Sequence, residues 1–352
     1  MECSAWGARL GVRAGVARRW VLSQGVLGPG RGLVRKDIAI CLDFGEMRYI
    51  VRCGSWADGK DGRMAHWTIE APTSLDFDDV TGLRVRLIAG SVAVLATDGK
   101  PSLDVANVSG DPLHVTYEDG VLTITHENLT WEGLLKWLRP QRPSAAVTVA
   151  VPRTCPTQLG VVSATAVLSG ISARASVKSV SGEITLDGLT GDVDAHTVSG
   201  PLEAQGINGK LNFNTVSGDL ALADGWVERL DVNAVSGDVT ADIDLDPLGG
   251  VHATTVSGEV TLRIPAETDA QVHLHSMSGG VRSEFAELRS MSAPASHTVS
   301  GSLGAGSGHV SVNTMSGRVM LLRRAERRTA AQGARTGAAQ PDNESEIEVE
   351  AS

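Results

Sequence analysis

Eight times between residues 178 and 317 the chain writes a polar residue, a small residue, Val or Met, and then Ser-Gly. The copies are KSVSG (178–182), HTVSG (196–200), NTVSG (214–218), NAVSG (233–237), TTVSG (254–258), HSMSG (275–279), HTVSG (297–301) and NTMSG (313–317). Their closing glycines are Gly182, Gly200, Gly218, Gly237, Gly258, Gly279, Gly301 and Gly317, and the steps between them are 18, 18, 19, 21, 21, 22 and 16 residues. Weaker turns lie half a period away: LTGD (189–192), INGK (207–210), ADG (223–225), DPLGG (246–250) and GAGSG (304–308). A fixed period near 20 residues is the signature of stacked repeats, in which no unit buries its apolar face alone.

Alternation around each corner assigns the unit to strands. Val310, Val312 and Thr314 precede a corner at every second position, and Val319 and Leu321 follow it; Leu211, Phe213, Thr215, Gly218, Leu220 and Leu222 repeat the frame. A period of two turns one set inward and the other to water. Gly at a fixed corner position is expected to supply a positive φ, and the Ser before it to bond the local backbone. With rungs about 4.8 Å apart, eight of them make a rod on the order of 40 Å long. The fold expected is all-β: a parallel β-solenoid of about eight rungs with an N-terminal β-rich cap containing one short helix.

Three columns follow from the alignment. Ser179, Thr197, Thr215, Ala234, Thr255, Ser276, Thr298 and Thr314 are small and face inward. Lys178, His196, Asn214, Asn233, Thr254, His275, His297 and Asn313 face outward. The residue after Gly is often acidic, as at Glu183, Asp219, Asp238 and Glu259. The direction of the Val or Met is left open, because the chain bends there.

Four segments are expected. Residues 1–63 show neither strand nor helix period and read as an unstructured extension or a mis-called start. Residues 64–155 alternate irregularly and read as the cap. There Tyr117–Val121 forms a hairpin on an Asp-Gly turn. Thr130 caps a helix whose Trp131, Leu134, Leu135 and Leu138 share one face before Pro140. Trp131, Trp137 and Leu138 are read as covering the solenoid end. Residues 156–322 are the solenoid, and 323–352, from RRAERR to NESEIEVEAS, a disordered tail.

The repeats resemble those of the bacterial putative-adhesin domain family, a domain of unknown function. The resemblance runs from about Met64 to Leu322 and rests on the VSGD/VSGE turns, the segment Gly133–Leu138 before them and the closing MSGRVMLLRR (315–324). It implies the β-solenoid fold and an adhesin role, and supplies no catalytic residues.

Composition narrows the function. Residues 64–322 carry 15 Lys/Arg against 29 Asp/Glu, which opposes phosphate-neutralising nucleic-acid binding. Cys3, Cys41, Cys53 and Cys155 contain no CxxC pair, so neither a disulfide framework nor a zinc site is expected. No run approaches 18 apolar residues, so no transmembrane helix is expected. Arg18-Arg19 is weighed as a twin-arginine signal, but the apolar run after it is short and broken by Gln24, Gly25 and Gly28.

The acidic column is interrupted by Pro201, Gly280, Ser302 and Arg318 and reads as turn-bonding carboxylates instead of a calcium site. His275 and His297, with His273 on the same face, offer two metal ligands but no third. No catalytic motif is present and charges repeat instead of clustering once. No catalytic residue, cofactor or metal is therefore expected. The reading is a non-catalytic cytoplasmic scaffold or binding module for a protein or glycan. Self-association is expected through a C-terminal rung that ends abruptly at Leu322 without apolar cover. An exported or surface adhesin is the alternative, and a glycan-cleaving solenoid the third reading.

Overall fold

The computed structural model describes residues 64–126, 143–294 and 296–324, together with two earlier strands. Those are β1 (Ile38–Phe44) and β2 (Met47–Cys53). Then come β3 (Met64–Ile69), β4 (Thr73–Asp76), β5 (Gly82–Leu87), β6 (Ala89–Thr97), β7 (Ser102–Ser109), β8 (Leu113–Glu118), β9 (Val121–His126) and β10 (Ser144–Pro152). The repeat region supplies β11 (Thr157–Val161), β12 (Thr165–Ser169), β13 (Ala175–Ser179), β14 (Ile184–Asp187), β15 (Thr190–Thr197), β16 (Leu202–Gln205), β17 (Asn208–Thr215), β18 (Leu220–Ser236) and β19 (Val239–Ser257). It closes with β20 (Val260–Pro265), β21 (Ala270–Ser276), β22 (Val281–Ser283), β23 (Arg289–Ala293), β24 (Ser296–Leu303), β25 (Gly308–Thr314) and β26 (Val319–Arg324). All described elements are strands. The helix expected at Thr130–Leu138 lies outside the described residues.

The strands stack as a solenoid-like sheet. On one side β5, β11, β13, β15, β17, β18, β19, β25 and β21 pair in parallel in that order. On the other, β6, β12, β14, β16, β18, β19, β20, β26 and β22 do the same. Alternate residues meet between the two sides in one continuous core; Val193, Ala195, Leu211, Phe213, Leu220 and Leu222 are among its buried members.

The corner glycines are needed for a different reason than a positive φ. A Cβ built on Gly200 collides with the carbonyl oxygen of Gly182. The same clash recurs for Gly218 on Gly200, Gly237 on Gly218, Gly258 on Gly237, Gly317 on Gly258 and Gly279 on Gly317, while Gly182 meets Ala164. Only Gly237 (φ 150) and Gly258 (φ 131) of the eight are also left-handed, and Gly218 is not. The left-handed positions sit instead at the half-period turns, as at Gly188 (φ 60) and Gly206 (φ 64).

Two hydroxyl sets fix this close approach. The buried Ser or Thr three residues before the Gly accepts its N–H: Ser179 from Gly182 at 2.9 Å, Thr215 from Gly218 at 2.7 Å, Ser276 from Gly279 and Thr314 from Gly317 at 2.9 Å. The Ser directly before the Gly bonds the neighbouring rung, not its own turn as expected. Ser199 donates both N–H (2.9 Å) and Oγ–H (3.2 Å) to the Val180 carbonyl, and Ser217, Ser236, Ser278 and Ser316 each repeat the double contact on the next rung.

Four expectations are corrected. First, the stack does not start at 156: β5 and β6, inside the expected cap, pair in parallel with β11 and β12, and Ser163 bonds Ile88 O as the later serines bond their neighbours. Second, segment 1–63 holds β1 and β2, an antiparallel hairpin joined to β3 through Arg52↔Thr68 and Cys53↔Trp67.

Third, the copy at 297–301 is not a corner. It lies in β24, which runs antiparallel to β21 and β23; Val299 turns into the core, and Gly301 faces Leu288 instead of a stacked glycine. Fourth, the C-terminal rung is not an open end. β25 and β26 insert between the β19–β20 rung and the β21–β22 rung, so the last repeat in sequence is interior in space. Phe285, Leu288, Val299 and Leu303 cover the outer rung.

The other end is closed by β10, which pairs parallel with β6 and antiparallel with β7, and by the β3–β8–β9 meander. The Asp-Gly hairpin forms as expected, with Asp119 at φ 50 and Gly120 at φ 81.

Arg324 anchors the inserted rung. Its guanidinium binds Asp242 at 2.7 Å and also Asp244, and Arg263 binds Asp242 as well. Burial raises the Asp242 pKa, but hydrogen bonds from Arg263 and Arg324 outweigh it and hold the carboxyl below its ordinary value.

Gly218→Ala should destabilise the protein by about 2 kcal/mol, because a backbone carbonyl cannot yield as a side chain does. Gly188→Asn should be nearly neutral, since nothing lies within 4 Å of a Cβ there and Asn tolerates the left-handed region. Chemical denaturation of both variants checks the contrast; equal losses would refute the close-approach account.

Deleting residues 308–352 removes an interior rung and should abolish the cooperative melt, whereas a stack in sequence order would lose only its end. Circular dichroism melting decides between them. Asp242→Asn should lower the melting temperature at neutral pH. A depressed folded pKa adds stability that is present above the unfolded value of about 3.9 and is lost as pH falls through the folded value. The gap between wild type and variant should therefore narrow below about pH 4, and melts at pH 7 and pH 2.5 test it. A gap independent of pH would contradict the assigned ion pair.

Candidate functional site

The outward face of the β13–β15–β17–β18–β19–β25–β21 side carries side chains in register. Lys178, His196, Asn214, Asn233, Thr254, Asn313 and His275 form one row along the stack. The sequence alignment placed these residues outward; it did not single out the two rows beside them. One contains Ser176, Asp194, Asn212, Asp231 and His252, the other Arg174, Asp192, Lys210 and Arg229. The signal was available, since these positions lie two and four residues before the first row in each copy.

Mid-stack, the three rows are cross-linked. Arg174 donates to Asp194 at 2.8 Å, and Asn212 donates to the same carboxylate at 3.5 Å. Asn214 donates to Asn212 Oδ1 and Asn233 to Asn214 Oδ1, each at 3.0 Å. Arg229 pairs with Asp231 at 2.6 Å, and Lys210 stands 3.8 Å from Asp192 and 3.9 Å from Glu228. The hydrogen bond from Arg174 holds Asp194 below the usual carboxylate range against the opposing pull of burial. These groups line a shallow polar groove of about 470 Å³ that includes Arg174, Asp194, Lys210, Asn212, Arg229 and Asp231. A second hollow of about 360 Å³ adjoins it through Asn214 and Asn233 and is walled by Val216 and Val235.

Those two valines belong to a ridge. The structure settles the direction that the sequence left open: the Val or Met of every stacked corner points to water. Val180, Val198, Val216, Val235, Val256, Met315 and Met277, in spatial order, are each between 42% and 53% exposed. Val299, in the copy that is not a corner, is 3% exposed.

The acidic column stacks on the far flank of this ridge. Asp219 accepts the Asp238 N–H and Asp238 the Glu259 N–H, both at 2.8 Å, while Arg318 of the inserted rung lies 3.3 Å from Glu259. The carboxylates satisfy backbone donors of the next rung, not of their own turn.

His275 and His297 are not stacked in one column. In the antiparallel pairing His275 faces Thr298 and His297 faces Ser276; His275 Nδ1 lies 3.0 Å from Thr298 Oγ1, and His297 Nδ1 lies 3.1 Å from Ser292 Oγ. Among the described residues no group of three or more His, Cys, Asp or Glu is placed to hold a metal ion.

At the N-terminal end His126 is buried with neither ring nitrogen hydrogen-bonded. Burial lowers its pKa, Asp111 opposing and His114 reinforcing the shift. Buried Cys155 is a free thiol pushed up to about 11, by burial first and then by Asp79, which makes it unreactive. Trp131, Trp137 and Leu138 lie outside the described residues. No helix of the described residues is long and apolar enough to cross a membrane.

Comparison with curated proteins gives no match. Among solved structures the chain is similar to a putative cell adhesion protein from Clostridium sporogenes (10% identity, 72% of this chain and 100% of that one, TM-score 0.24). It is also similar to two proteins of Parabacteroides distasonis. One is a putative lipid binding protein (14%, 72% and 97%, TM-score 0.39), the other a putative adhesin (10%, 75% and 98%, TM-score 0.28). The family model of Toastrack DUF4097 matches residues 172–322, the span from just before β13 to β26 that holds both the grooved face and all seven stacked glycines. Over those residues the chain is similar to Toastrack DUF4097, a domain of unknown function.

Proposed function

We propose that the chain is a non-catalytic scaffold that binds an extended partner, a glycan first and a protein second, along the grooved face. The observation that carries this reading is the hydrogen-bonded chain Asn233–Asn214–Asn212–Asp194–Arg174. It crosses four rungs and presents fixed donors and acceptors about 4.8 Å apart. Side chains already held by one another lose little rotamer freedom on binding, which is how a shallow polar surface gains affinity. Repeated amide and carboxylate groups match the hydroxyls of an unbranched sugar chain.

A hydrolytic role has less support. A glycosidase acid needs a raised carboxyl pKa, and Asp194 moves the other way because of Arg174. The acidic repeat region disfavours nucleic acid as the polymer. We place the scaffold in the cytoplasm. An exported adhesin would use the same face, and its recovery from the cell-surface fraction would favour that role.

Glycan-array screening of the full chain, followed by titration calorimetry on the hits, tests the reading. Arg174→Ala and Asn214→Ala should each weaken binding at least ten-fold at an unchanged melting temperature. Binding unaffected by either substitution would move the site elsewhere, and release of glycan fragments would overturn the non-catalytic assignment.

A further inference from the structure

We infer that the Val/Met ridge is a self-association surface, along which two copies of this chain pair side by side with their rods parallel. The ridge borders the grooved face proposed above to bind a partner: Lys178, His196 and His275 of the nearest polar row form its flank, Val216 and Val235 wall the adjoining hollow, and the Arg174 row lies farther off. It holds one half-exposed apolar side chain on every stacked corner, whereas the same residue type is buried in the one copy of the motif that is not a corner.

Pitch selects the occupant. Corners repeat about every 4.8 Å, so six steps make a ridge about 29 Å long. A helix offers an apolar turn every 5.4 Å and drifts half a rung out of step within about four rungs. A second copy has the same pitch and stays in register along the whole ridge.

Area sets the strength. From the polar row on one flank to the acidic column on the other, five residues cover at most about 16 Å. The strip therefore projects at most about 460 Å² per copy, below the ~800 Å² that a stable interface buries on each partner, so the dimer expected is weak and concentration-dependent.

Charge sets the direction. One flank carries Lys178, His196 and His275 and no carboxylate; the other carries Glu183, Asp219, Asp238 and Glu259, and its Arg318 is paired with Glu259. A two-fold axis along the rod sets unlike flanks together at equal height, with Lys178 of each copy toward Glu183 of the other. Antiparallel rods would instead oppose carboxylates to carboxylates, which is unfavourable in a chain already acidic.

Sedimentation velocity of the full chain over a concentration series reads the association. Wild type should dimerise. Val216→Lys with Val235→Lys should weaken the dimer at least ten-fold while leaving the melting temperature unchanged, since both side chains face water. Lys178→Glu should weaken it, and adding Glu183→Lys should restore it. Arg174→Ala, in the polar groove, should leave the dimer intact, which keeps this surface distinct from the partner-binding face. A wild type that stays monomeric at every concentration, or a dimer that survives the double Lys substitution, overturns the proposal. Failure of the charge swap to restore pairing overturns the parallel arrangement.

Discussion

Everything in this molecule depends on how closely one corner approaches the next. The carbonyl of each corner glycine occupies the place where a Cβ of the following one would stand, so the column Gly182, Gly200, Gly218, Gly237, Gly258, Gly317, Gly279 is a contact between backbones. That contact lets the Ser before each glycine give both its N–H and its hydroxyl to a single carbonyl of the adjacent rung. It also determines the fate of the other corner residues. The Ser or Thr three positions back fills the inner angle and accepts the glycine N–H. With the inside of the corner taken, the Val or Met between them has only water to face. The exposed ridge is thus a consequence of the corner geometry, and its being Val or Met rather than a charged residue makes it a continuous apolar strip.

Much of this was legible in the repeat. The period, the inward and outward alternation and the three columns are properties of each copy, and the structure places them accordingly over seven of eight copies. The exception was marked by the steps of 22 and 16 residues around Gly301, too uneven for equal coils. The order of stacking was not legible, because every rung presents nearly the same pattern to every other. Nothing in β25 itself says that it belongs beside β19. The ion pairs of Arg324 with Asp242 and Asp244, and of Arg318 with Glu259, distinguish one neighbour from another, and such pairs join residues 59 to 82 positions apart. β1 is only faintly legible: Ile38, Ile40, Leu42 and Phe44 alternate, but one short run inside an Arg- and Gly-rich segment carries little weight by itself.

The grooved face was half legible. An outward row read from the corner residue gives Lys178, His196, Asn214 and Asn233 directly. The rows containing Asp194 and Arg174 lie two and four residues before it in each copy, and Lys210 and Asn212 come level with Arg229 and Asp231 by the same count from the corner; the bulge between Gly209 and Lys210 on β17 falls beyond them. What the motif does not give is the cross-linking, because the bonds of Arg174 to Asp194 and of Asn233 to Asn214 join different rungs.

The inserted rung ties these features together. Stacks built in sequence order can gain or lose terminal units without disturbing the rest. Here the β25–β26 rung joins β19–β20 to β21–β22, so the polar rows and the apolar ridge are continuous only after residue 324 has docked. The pairings involved are among the longest-range in the chain, which slows their formation relative to adjacent coils. Until they form, the β21–β24 segment has no stack to cover, and the ridge ends at Val256. The full surface, polar rows and apolar ridge together, therefore exists only on the completed fold.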